Sequence, residues 1–174
     1  MASLTLTLIG RDRPGLVRAL SERVAAAGGN WLESHMARLG GQFAGILMVE
    51  VPAEAADRLV EDLRGLDAEG LHVTVERGAP EEAGATRRAF VLELVGHDRS
   101  GIVHEIAEVL ARRNVNIEEL ETEVVSGSFS GESLFKARAR LRVPDDVAAE
   151  ELREALETLA NELMVDISLD ATEG

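Results

Sequence analysis

Two short stretches hold the residues best suited to chemistry. One reads Gly10-Arg11-Asp12-Arg13-Pro14-Gly15-Leu16-Val17, the other Gly96-His97-Asp98-Arg99-Ser100-Gly101-Ile102-Val103. Each follows an alternating apolar run, Leu4-Thr5-Leu6-Thr7-Leu8 or Phe90-Val91-Leu92-Glu93-Leu94-Val95. Each leads into apolar residues at helical spacing, so both read as strand, tight loop and helix N-terminus. The start of a helix exposes N–H groups with no intrahelical partner and carries partial positive charge, which suits a carboxylate or phosphate. Asp12 and Asp98 are placed to cap that helix or to accept a hydrogen bond from an ammonium. A single amino-acid ligand brings both groups. Gly15 and Gly101 lack the Cβ that would crowd a ligand or a neighbouring backbone. The plain alternative is that Asp-Arg-Pro-Gly merely starts a helix well. The second copy weakens it, because in both cases an asparagine, Asn30 or Asn116, follows fifteen residues after the glycine.

Other chemistries lack their residues. Gly10 and Gly15 have phosphate-loop spacing, but Leu16-Val17 stands where Lys-Ser/Thr is needed. No Gly-x-Gly-x-x-Gly follows either strand. His35, His72, His97 and His104 include no pair at the His-x-x-x-His spacing of a helical zinc site. The chain has no cysteine, which excludes thiol chemistry, a disulfide framework and Cys-ligated zinc. Ser, His and Asp occur without a Gly-x-Ser-x-Gly elbow. No catalytic residue, metal or cofactor is expected. Glu118, Glu119, Glu121 and Glu123 resemble a carboxylate cluster, yet alternation sends Glu118 to one strand face and the other three to the opposite one. They read as a solvated edge or a partner-facing acidic stripe.

The elements that position the two loops also repeat. From Gly10 to Gly96 the offset is 86 residues, and it also superposes Leu20 on Ile106, Glu22 on Glu108, Asn30 on Asn116 and Glu33 on Glu119. That period is too long for a solenoid and fits two copies of one small domain. In the first copy, strand 3–10 precedes a helix from Leu16 to Ala27 that Gly28-Gly29 stops, with Pro14 in its first turn. Strands 30–38 and 43–51 flank a Gly40-Gly41 hairpin turn. Pro52-Ala53-Glu54 opens a second helix with Leu59, Val60 and Leu63 inward, and Leu71, Val73 and Val75 form a fourth strand.

The second copy follows as strand 89–96, helix 100–113, strands 115–126 and 132–142, helix 146–161 and strand 163–169. Pro144 matches Pro52 at an offset of 92, so six extra residues belong to the hairpin loop around 125–131. The fold class is α+β, two ferredoxin-like βαββαβ units in tandem: domain 1 over 1–76, a linker over 77–88 and domain 2 over 89–174. Units this small need their uncovered sheet faces packed on something.

Composition bounds the partners. A net charge of −14 leaves no basic face for direct nucleic-acid binding, and the pairs Arg87-Arg88 and Arg112-Arg113 are short. No apolar run approaches membrane-spanning length, and the first residues lack a signal-peptide pattern, so a soluble cytoplasmic protein is expected.

The βαββαβ order, the Asp-Arg-Pro-Gly loop and the helix-to-Asn spacing resemble the ACT domain, a small regulatory module that binds amino acids. Two copies with a short linker resemble tandem-ACT regulators of the glycine cleavage system repressor kind. The resemblance implies a non-enzymatic sensor whose ligand, a small amino acid such as glycine or serine, sits beside the first loop at an interface between paired domains. It implies Asp12, Arg13, Pro14, Gly15, Leu16 and Asn30 as ligand-binding residues in the first half. Their counterparts are Asp98, Arg99, Ser100, Gly101, Ile102 and Asn116, with Ser100 departing from Pro14. It also implies a homo-oligomer and a protein partner such as a transcription activator. Two alternatives stay open: a ligand-free assembly module, and a separate regulatory subunit of an amino-acid metabolic enzyme. Trp31, beside Asn30, is expected to report on the first loop.

Overall fold

A computed structural model describes residues 1–78, 87–127 and 131–172. The chain forms two compact units, Met1–Glu82 and Ala83–Gly174. The first has β1 (Ala2–Arg11), α1 (Leu16–Ala26), β2 (Asn30–Leu39), β3 (Gln42–Val51), α2 (Ala56–Arg64) and β4 (Leu71–Arg77). The second has β5 (Arg87–His97), α3 (Ile102–Ala111), β6 (Asn116–Ser126), β7 (Ser133–Pro144), α4 (Ala149–Leu163) and β8 (Val165–Ala171). The sheets are antiparallel with strand orders β2-β3-β1-β4 and β6-β7-β5-β8. The expected βαββαβ order holds in both. Arg77, Arg87 and Arg88 are strand residues rather than linker, because the ladders reach them, while residues 79–86 of the expected linker lie outside the described residues. No helix among the described residues is long and apolar enough to cross a membrane.

Period-two patterning puts Leu4, Leu6 and Leu8 of β1 on the helix side, where they are buried with Leu47, Val49 and Val51 of β3. Leu16, Leu20 and Val24 of α1 and Ala56, Leu59 and Leu63 of α2 close that core. Val60 sits at the flank, half-buried, instead of on the inner face, because the helical stripe runs through residues 56, 59 and 63. The second unit repeats the arrangement with Phe90, Leu92, Leu94, Ile106, Leu110, Leu152 and Leu156. Neither core holds a buried polar residue among those described.

The helix stops repeat in detail. Gly28 has φ 68°, and the N–H groups of Gly28 and Gly29 donate to the carbonyls of Ala25 and Val24. Asn114 takes the same left-handed place with φ 56°, and Asn114 and Val115 donate to Ala111 and Leu110. Glycine and asparagine tolerate that conformation best. The six extra residues fall where expected. Leu39 pairs with Gln42 in the first hairpin and their counterparts Val125 and Leu134 pair in the second, so the six extra residues lie between them, and residues 128–130 of that stretch lie outside the described residues. Both β2 and β6 carry a bulge at the same place, between Trp31 and Glu33 and between Ile117 and Glu119. Glu118 is the bulged residue and ion-pairs with Arg142 at 2.8 Å. Glu119, Glu121 and Glu123 face Arg140, Arg138 and Lys136 across the ladder, so the acidic stripe is matched by a basic one on its neighbouring strand.

Candidate functional site

β1 delivers Asp12 to the end of the sheet, but Asp12 does not cap α1. Its N–H donates to the Gly41 carbonyl at 2.9 Å, and its Oδ2 lies 2.8 Å from Arg38 Nε. Both partners belong to the β2–β3 hairpin, which thus latches the first loop. The N-cap position is Gly15, with φ 92° and no side-chain cap bond. Pro14 lies in the turn before it and not in the first helical turn. The first helical bond runs from Ala19 N–H to the Gly15 carbonyl at 2.9 Å. The N–H groups of Leu16, Val17 and Arg18 therefore open from the helix end. Arg13 Nη2 donates to the Glu69 carbonyl at 2.5 Å, and the Glu69 carboxylate meets Arg23 at 3.0 Å.

The second loop has the same backbone with other side chains on it. Gly101 has φ 90°, and Glu105 N–H donates to its carbonyl at 3.0 Å. Asp98 N–H donates to the Ser133 carbonyl at 3.0 Å, matching the bond from Asp12. Ser100 occupies the turn place of Pro14, so this loop does not require proline. Among the described residues no ion pair like Asp12–Arg38 is made. The side chains of Asp98 and Arg99 have no hydrogen bond or ion pair among the described residues. His97 Nδ1 instead lies 3.4 Å from a Glu132 carboxylate oxygen, from the β6–β7 loop.

Four expectations change. A Cβ added at Gly15 or Gly101 would meet no protein atom within 4 Å, so within the chain itself these glycines serve a left-handed φ and do not clear a neighbouring backbone. Asp12 and Asp98 cap nothing, since the glycines hold the N-cap positions. Asn30 does not join its own loop. It pairs across from Glu50, which faces Ser3, whereas Asp12 follows the far end of β1. Nine residues of strand put the two roughly 30 Å apart. Asn116, opposite Arg142 and hence level with Ala89, is as distant from Asp98. Trp31 shares the remote end, packing on the first core with its Nε1 donating to Ser34 Oγ at 3.2 Å. It reports on that core and not on the loop. The structure thus gathers Asp12, Arg13, Pro14, Gly15 and Leu16 at one end, and Asp98, Arg99, Ser100, Gly101 and Ile102 at the corresponding end. Arg38 and Glu69 were missed, because only strand pairing and the turn before β4 bring them to the loop. Among the described residues no cluster of His, Asp or Glu is arranged to hold a metal ion.

Comparison with known proteins agrees with this fold. A UPF0237 protein of Methanopyrus kandleri is 36% identical over 77 residues, 44% of this chain and 80% of that protein. The crystal structure of an unknown protein from Galdieria sulphuraria superposes with a TM-score of 0.88 at 31% identity, covering 99% of both chains. A provisionally named glycine cleavage system transcriptional repressor shares the fold, with a TM-score of 0.71 at 21% identity over 99% of this chain and 98% of that one. The sequence pattern described as the ACT domain matches residues 3–76 and again 88–170. The chain therefore belongs to the ACT domain family and carries two copies of that domain in tandem.

Proposed function

We propose that this is a non-enzymatic, cytoplasmic regulatory protein that binds a small amino acid at its motif loops and passes that state to a protein partner. The observation that carries the reading is the open helix end with its left-handed glycine, built twice on the same scaffold. The ligand carboxylate takes the N–H groups at Leu16 or Ile102, and its ammonium takes a nearby acid. Asp98 is free to do so, whereas Arg38 occupies Asp12. The second loop is therefore the better receptor despite lacking proline. Asn30 enters such a site only from another ACT unit. β2 is an edge strand, and two β2 edges from two chains paired antiparallel over their full length would bring Asn30 of one to the hairpin end of the other, near the hairpin that holds Asp12. The partner is a protein such as a transcription activator, and glycine and serine are the first ligands to try.

Calorimetric titration with glycine, serine and other amino acids tests this. Wild type should bind, Asp98→Ala should lose about 1–3 kcal/mol, and Asp12→Ala should lose less. Arg38→Ala, by freeing Asp12, should strengthen the first site. No heat with any amino acid at millimolar levels leaves a ligand-free assembly module. Binding that appears only with a metabolic enzyme present favours the regulatory subunit. The charge of −14 also predicts that the protein alone does not retain duplex DNA near physiological salt, which a gel-shift assay checks.

A further inference from the structure

Each unit takes a left-handed residue where its second helix turns into its last strand. In the first unit Gly70 makes that turn, with φ 86°. In the second the residue is Met164, with φ 56° and ψ 45°, and its N–H donates to the Ala160 carbonyl to close α4. Among the described residues only Asn114 and Met164 have a positive φ without being glycine. Asparagine tolerates that conformation through its short polar side chain, which methionine lacks. Burial does not offset the cost, since Met164 is 84% exposed. Nothing in the turn itself calls for a large apolar residue, because the first copy uses glycine there.

This turn adjoins the second motif loop. Val165 pairs with Gly96, so Met164 stands across from His97, one residue before Asp98. Neighbouring strands lie about 5 Å apart. In the first unit the equivalent turn reaches its loop and holds it, with Arg13 donating to the Glu69 carbonyl. In the second, Leu163 stands in the place of Glu69 and belongs to the core, and Arg99 makes no such bond. A loop with free side chains thus has an exposed methionine in a strained conformation at its rim, the kind of outlier that marks ligand contacts. Resting on the reading of that loop given above, we infer that Met164 is its specificity residue and lies against the side chain of the bound amino acid. The ligand class at this loop is then an amino acid with an apolar side chain, such as leucine, in preference to glycine. A thioether on an unbranched chain adapts its shape to such a group and removes apolar area from water.

Calorimetry with glycine and with leucine on wild type, Met164→Gly and Met164→Leu tests this, together with urea unfolding followed by circular dichroism. Leucine should bind the wild type more tightly than glycine, at the site that Asp98→Ala removes. Met164→Gly should weaken leucine binding by about fivefold and leave glycine within about twofold. The same variant should raise the urea midpoint, because glycine relieves the left-handed backbone. Met164→Leu should keep leucine binding and gain no stability. A methionine with only a structural role would give the higher midpoint with leucine binding unchanged, which overturns the inference. So does a wild type that prefers glycine, an equal loss of both ligands, or a Met164→Gly variant no more stable than wild type. Binding of both amino acids that is indifferent to residue 164 leaves the reading of the loop standing, whereas a wild type that binds neither overturns both.

Discussion

Gly96→Ala should destabilise the second unit by about 2–3 kcal/mol, the cost of overpacking a site that cannot yield. A Cβ there would lie 2.2 Å from Val165 Cγ1, 2.8 Å from its Cβ and 3.2 Å from its Cα. Gly96 and Val165 are ladder partners on β5 and β8, so rotating the valine relieves only the first contact and the strands must part. Gly10 is held in the same way, with the Gly70 carbonyl oxygen 2.4 Å from an added Cβ. Gly101→Ala is the control. It meets no atom, and its cost is the left-handed backbone, about 1 kcal/mol. Urea titrations of the two variants check the order. A larger loss for Gly101→Ala than for Gly96→Ala would mean that the loop glycine is a packing residue after all.

The other large effect lies in the first core. Leu6 is fully buried in central strand β1, between ladder partners Leu47 and Val75. Leu6→Ala should cost about 3–4 kcal/mol through lost transfer energy and the cavity left behind. A unit of this size has little stability in reserve, so the variant should stand close to unfolding at room temperature. Trp31 packs on the same core, and its emission should shift at much lower urea than in wild type. Leu39→Ala, at a position 83% exposed, should move the midpoint by less than about 0.5 kcal/mol equivalent. Equal midpoints for Leu6→Ala and Leu39→Ala would contradict the assigned burial.

Much of this molecule was legible in its residues because the determinants are local. Alternation in Leu4, Leu6 and Leu8, helical spacing through Leu16, Leu20 and Val24, and turn residues such as Gly40-Gly41 each act within a few positions. Their recurrence at a fixed offset revealed the tandem, and the loop before each helix marked the candidate site. The alternating Lys136, Arg138, Arg140 and Arg142 went unread, and only the pairing of β6 with β7 sets them against the acids and turns the expected stripe into half of a ladder. What only the tertiary structure decided concerns residues joined across the chain. Pairing β2 with β3 carries Arg38 to Asp12 and takes Asn30 to the opposite end of the sheet, which spacing along the sequence does not reveal. The bulges at Leu32 and Glu118 shift the register by one residue, and simple alternation has no term for them. The glycine at each helix start was identified from sequence alone. Its reason, a φ near +90° in open space instead of a neighbour too close, is a property of the folded backbone.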